Sequence, residues 1–260
     1  MRRAGTLVSL GLVLLGIGAC TNSLEIPIET PIQPKLDTSP FQRVLVAGFI
    51  AGGSDDVDAN LETVRLLRSQ LRTKSSLKII EADVVPLTDI AAEHSRPADA
   101  EPPPDGTLAP VVQLPKKIKD EKDLESYDFV FGNVEYWKKL GEEFQSPLIV
   151  TGTVLFTPHS ASGFVQREQE VYDSFGRRVV QPVRTYMERK GFILRPKFIF
   201  IDGRTGTQLY SETFREQVLY NPQQNTPALS SYFELMDRLI PSFLGTLSSQ
   251  KIRGARFLLK

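Results

Sequence analysis

The chain has 260 residues, 31 Lys and Arg against 31 Asp and Glu, 41% hydrophobic residues and a single cysteine. That composition excludes collagen-like, fully disordered and polytopic membrane proteins, and the length is enough to bury a proper core. One thiol cannot build a disulfide framework within the chain, and a neutral balance gives no electrostatic reason to bind nucleic acid.

Residues 1–19 have the parts of a signal peptide: a positive start at Met1-Arg2-Arg3, an apolar stretch from Leu7 to Ile17, then Gly18 and Ala19. The apolar stretch falls well short of the roughly 20 residues that span a bilayer as a helix. Ile17-Gly18-Ala19-Cys20 resembles the lipobox of bacterial lipoproteins, with Ile where that family more often has Leu. The resemblance implies cleavage before Cys20 and covalent lipid on it, a diacylglycerol on the thiol and a fatty acyl group on the new amine. A thiolate suits that role because it is a far better nucleophile than a hydroxyl. Acyl chains contribute about 0.8 kcal/mol per buried methylene, so several of them hold a protein on a membrane without a transmembrane helix. Thr21 in place of Asp implies, by the family's sorting rule, the outer membrane with the protein facing the periplasm. An ordinary signal peptide with an accidental cysteine is the plainer alternative. Cleavage before Cys20 removes Arg2 and Arg3 and leaves 29 basic against 31 acidic residues.

Residues 20–40 carry Pro27, Pro31, Pro34 and Pro40 and no aromatic residue, and are expected to be an extended, lipidated tether. A single α/β domain is expected over 41–260. Val44 to Phe49 reads as a strand buried on both faces. Leu61, Val64, Leu67 and Leu71 then have helical spacing, with Asp58 or Asn60 as N-cap and Glu62 in the first turn. Leu77 to Ala82 is the next strand, which makes a βαβ unit with parallel strands. A proline-rich, charge-rich stretch over about 95–123 is expected to be a solvated insertion. A helix near 133–144 places Trp137, Leu140 and Phe144 together, and Pro147 to Phe156 is a strongly apolar strand. Phe164 to Glu188 reads as a long polar hairpin turning at Ser174-Phe175-Gly176, with Pro182 at an edge or bulge. A second hairpin is expected over 192–218 with its turn at 202–206. The stripe from Leu229 to Leu247 is helical and is expected to kink or split at Pro241. Arg256 to Leu259 closes the chain as a short last strand. The fold class is therefore α/β (α+β), a mixed sheet with two to three packed helices.

The strand VLVAGF, the helix carrying Leu-Glu-Thr-Val-Arg-Leu-Leu, Lys138-Lys139-Leu140-Gly141 before LIVTGTV, the hairpin from Phe198 to Tyr210 and the late amphipathic helix form a set. Over 41–248 it resembles the CsgG type of envelope lipoprotein (curli secretion) and the TolB amino-terminal-like domain, also found in penicillin-binding-protein activator lipoproteins. The resemblance implies fold and envelope location. It does not extend to pore formation. Membrane strands need alternating apolar residues, whereas Val165, Arg167, Gln169, Val171 and Asp173 share one face of the polar hairpin and Gln166, Glu168, Glu170 and Tyr172 the other.

Catalytic groupings are not evident. His94 and His159 lack a ligand-type residue three or four positions away and read as exposed loop residues, so no metal site is expected. No G-x-S-x-G or H-E-x-x-H occurs. S-x-x-K spacing at Ser75/Lys78 and Ser248/Lys251 comes without its companion motifs. The Gly52-Gly53 loop departs from G-x-G-x-x-G, and Asp55, Asp56 and Asp58 would repel phosphate. Asp56 to Asn60 begins like an EF-hand loop, but Leu61 stands where Gly is needed and Leu67 where Glu belongs. Capping and solubility account for these acids more simply than calcium.

The expected function is a non-enzymatic binding or assembly factor in the periplasm, held to the membrane by lipid, with envelope proteins as partners and no cofactor besides the lipid. Glu168, Glu170, Tyr172, Arg177, Arg178 and Arg184 are the candidate partner surface, against the plainer alternative of a solvated hairpin. An oligomeric secretion-channel component and a ligand binder or enzyme using the loop near 52–58 are the other hypotheses.

Overall fold

The computed structural model describes residues 23–95, 114–115, 117–221 and 223–259. The expected signal peptide, Cys20 and most of the proline-rich insertion lie outside them. The described chain divides into two units. The smaller is a two-stranded antiparallel ribbon of β1 (Ser23–Ile32) and β8 (Gln250–Leu259). Residues expected to be a tether are thus extended but hydrogen-bonded to the end of the chain. The last strand accordingly pairs in the ribbon, outside the 35–248 unit.

The larger unit begins with β2 (Arg43–Gly53), whose Val44 to Ile50 are all buried. Asp58 caps α1 (Ala59–Lys74) by accepting the Leu61 N–H at 3.0 Å. Asn60 acts elsewhere, because its Oδ1 accepts the Phe49 N–H at 2.8 Å and ties the helix start to the strand. Val64, Leu67 and Leu71 are buried against the sheet, and β3 (Lys78–Ile80) returns parallel to β2. A helix that the sequence did not suggest, α2 (Leu87–His94), follows.

The charged run after the insertion is part of the fold, which corrects the expected boundary near 123. Ile118 is buried, and the Asp123 carboxylate accepts the backbone N–H groups of Lys119 (2.8 Å) and Asp120 (3.1 Å). Those bonds hold Asp123 below the usual carboxylate range. They precede α3 (Glu121–Glu125), α4 (Asp128–Phe131) and α5 (Val134–Glu143). Trp137 is fully buried and donates its indole N–H to Val130 O at 2.9 Å. Gly141 lies so close to the turn at Gly203 that a Cβ would meet the Gly203 carbonyl oxygen at 1.8 Å.

The remaining elements are β4 (Leu148–Tyr172), β5 (Arg178–Asp202), β6 (Gln208–Thr213), β7 (Glu216–Tyr220) and α6 (Ala228–Leu247). The main sheet is open and mixed. Its order is β3-β2-β4-β5-β6, with β7 also on β5; β2 runs parallel to β3 and β4, and the other pairs are antiparallel. Helices α1 and α6 share one face with Val44, Val46 and Phe49, while α2 to α5 cover the other with Leu45, Ala47 and Ile50. The exchange of odd and even positions along β2 follows from a bulge between Val46 and Gly48, which shifts the strand by one residue.

Helix α6 does not split at Pro241. The proline removes one backbone donor, but Leu239, Ile240 and Phe243 stay buried on both sides of it, so packing carries the helix through. The Tyr232 hydroxyl donates to Ala59 O at 3.2 Å and meets the Thr63 hydroxyl, linking α6 to α1. Burial pushes its phenol far above the ordinary value.

Candidate functional site

Strands β4 and β5 pair without interruption from Leu148 opposite Asp202 to Tyr172 opposite Arg178. Their inner halves are core. Leu148 to Phe156 are buried throughout, with β2 alongside β4 as far as Phe156. β6 flanks β5 over Lys197–Ile201, and β7 flanks it over Lys190–Leu194. Past these points neither strand has another neighbour among the described residues. The outer halves form a two-stranded arm. From Ala161 to Tyr172, beyond the last β5–β7 pair at Lys190, it extends roughly 40 Å at about 3.4 Å per residue.

Two long strands stand where the sequence suggested four over 147–201, while the expected turn at 202–206 is present and joins β5 to β6. The stretch Pro158 to Gly163 lacks strand-forming residues, yet it keeps register with residues 187–192. His159 is therefore no loop residue: it sits half-buried in β4 opposite Gly191. The His94 side chain lies outside what the structure describes.

Three prolines fit the ladder because of where they fall. Asp173 N–H donates to Arg177 O at 2.9 Å, and in an antiparallel ladder the hydrogen-bonded pairs alternate from there. Pro158, Pro182 and Pro196 lie opposite Phe192, Glu168 and Val154, all in the non-hydrogen-bonded set. Pro182 thus needs no bulge. Its missing N–H faces the outer edge of β5, which it blunts.

Alternation gathers the candidate surface. Glu168, Glu170, Tyr172, Arg178 and Arg184 share one face of the arm, and all are exposed. Arg178 pairs with Glu170 across the strands. Arg177 belongs to the tip, where its Nε donates to Asp173 Oδ2 at 2.9 Å and its guanidinium lies 5.4 Å from the Phe175 ring centre. Asp173 also accepts the N–H groups of Arg177 and Phe175, and these bonds hold its carboxyl below the usual range. The same face holds an aromatic pair that sequence reasoning passed over: Phe164 and Tyr186 pack edge to face with centres 5.4 Å apart. They are 76% and 59% exposed, and Phe175 at the tip is 81% exposed, so large apolar area faces water. Phe164 has the parity of Glu168 and Tyr172, so period-two counting could have found it.

The opposite face is mixed. Val165, Val171, Val179, Val183 and Met187 alternate with Arg167, Gln169, Gln181 and Arg189. Neither face is a continuous apolar band.

At the base of the arm, a cleft of about 940 Å³ is lined by His159, Tyr186, Lys190, Phe192, Tyr220 and Asn221, among others. Gly191 admits the close approach of β7 here, since a Cβ would meet Val218 O at 1.9 Å. A second crevice of about 440 Å³ adjoins the Gly52-Gly53 loop. Its acids have local partners: Asp58 caps α1, Asp56 accepts the Ser54 hydroxyl at 2.9 Å, and Asp55 pairs with Lys117. Among the described residues no group of three or more His, Cys, Asp and Glu could hold a metal ion. None of their helices is long and apolar enough to cross a membrane.

No family model matches the chain, and no curated protein matches it. Among solved structures it is similar to lipoprotein GNA1162 from Neisseria meningitidis. The identity is 12% and the TM-score 0.35, over 78% of this chain and 97% of that one.

Proposed function

We propose that this chain is an envelope lipoprotein, anchored by lipid on Cys20 in the outer membrane and facing the periplasm. In this reading it acts without catalysis as a binding or assembly factor that meets its partner through the β4–β5 arm. One observation carries it: two strands that leave a closed core continue as an arm bearing exposed aromatic and charged residues on one face. Burial of Phe164, Tyr186 and Phe175 is available only to a partner, and aromatic and arginine side chains are the residue types that anchor interfaces. The lipobox supports the location.

The test is crosslinking in intact cells followed by recovery of the chain, comparing the full protein with one lacking 160–190 and with Cys20→Ser. A discrete adduct that needs both the arm and Cys20 is expected. Equal recovery with all three chains would contradict the reading.

A secretion-channel component is the second reading, favoured by the open edge of β4 beyond Phe156, where a neighbouring subunit's strand could add. Native mass spectrometry in detergent separates the two: a ring supports the channel and a monomer sinks it.

A further inference from the structure

The β1–β8 ribbon has two unlike faces. Strand alternation places Ile26, Ile28, Thr30 and Ile32 together, with Arg256, Gly254 and Gln250 opposite Ile26, Ile28 and Ile32. The three isoleucines are 38%, 38% and 44% exposed. Glu25, Pro27, Glu29 and Pro31 form the other face. There Glu29 accepts from Lys251 Nζ at 3.2 Å and from Arg253 Nε at 3.1 Å. A two-stranded ribbon is marginal by itself and gains stability when one face is covered.

Chain length says what covers it. Cys20 is three positions before Ser23, and three residues span at most about 11 Å. Lipid on Cys20 would therefore keep the start of β1 within that distance of the bilayer, whatever path the intervening residues take. A row of isoleucines starting there reaches the boundary between headgroups and acyl chains, where amphipathic elements settle. Arg256, on the same face, suits a lipid phosphate. We propose that the ribbon lies on the membrane through Ile26, Ile28 and Ile32, with the Glu29 ion pairs turned to water. The lipid anchor then becomes an oriented support. The inference rests on the reading that Cys20 is acylated.

Because Cys20 would be blocked by lipid, an introduced cysteine is the sole free thiol. Ile28→Cys and Glu25→Cys are made in the full-length lipidated protein, labelled with a nitroxide and placed in phosphatidylethanolamine–phosphatidylglycerol vesicles. The label at 28 is expected to show a several-fold higher ratio of oxygen to nickel-chelate accessibility than the label at 25. Equal ratios in acylated protein overturn the placement alone. A label at 28 shielded from both reagents means that protein covers the face, and overturns it as well. Intact mass reads acylation independently: an unmodified Cys20 overturns the lipoprotein reading and the inference with it.

Discussion

The inner and outer halves of the β4–β5 hairpin share a ladder, a register and a chain, and differ in almost everything else. Inside, Phe156 stacks on Phe192 at 4.8 Å and meets Tyr232 edge-on at 5.2 Å, enclosed by α6. Outside, Phe164 meets Tyr186 edge to face with no helix over the pair among the described residues. Backbone hydrogen bonds exchange for water with little net gain, so the ladder alone does not hold a strand pair in place. The inner half is structure because layers cover it. The outer half keeps the ladder without that cover, so its exposed side chains add little to the stability of the core unit.

The largest expected effect breaks the inner half. Phe156→Ala removes a fully buried ring and is expected to cost about 3–5 kcal/mol in chemical denaturation. Gly141→Ala forces a Cβ against the Gly203 carbonyl and is expected to cost about 1–3 kcal/mol by the same measurement. Joining His159 to Gly191 by a two-residue turn removes the arm, and is expected to change stability by less than about 1 kcal/mol. A large loss there would erase the contrast between the halves. Phe164→Ala should leave the melting temperature nearly unchanged while weakening partner crosslinking.

The smallest effect is local to the tip. Asp173 is held below the ordinary carboxylate value of 3.8, so its support of the turn is complete above that value. It is lost as pH falls through the lower folded value. The hydrogen-exchange protection factors of the Phe175 and Arg177 amides, with the intrinsic pH dependence divided out, should fall over that acid range and hold constant above it. Asp173→Asn should remove the pH dependence.

The core was legible because its elements follow a single period: the buried run at 44–49 and the 3.6-residue stripes of α1 and α6. The misses have physical causes. In the Pro158–Gly163 stretch, strand pairing overrode weak local propensity, and two strands looked like four. Pro241 broke a local rule that burial on both sides outweighed. The Ser23–Ile32 prolines suggested a tether, whereas alternating isoleucines and a distant partner strand set the structure. The charged run before α3 hid Ile118, a single core residue among solvated neighbours. On the arm, the six candidate residues could be read from charge and turn chemistry. Phe164 and Tyr186 escaped that reading because they stand at the two ends of the polar stretch, and only the strand register brings them together.

The claim that the arm carries the interaction is tested most directly by a photoreactive residue placed at Glu168 or Glu135, one position per protein, in growing cells. Glu135 is an exposed residue of α5 on the core unit. The account predicts a discrete adduct from position 168 and none from position 135. Adducts from position 135 alone, or equally from both, would contradict it.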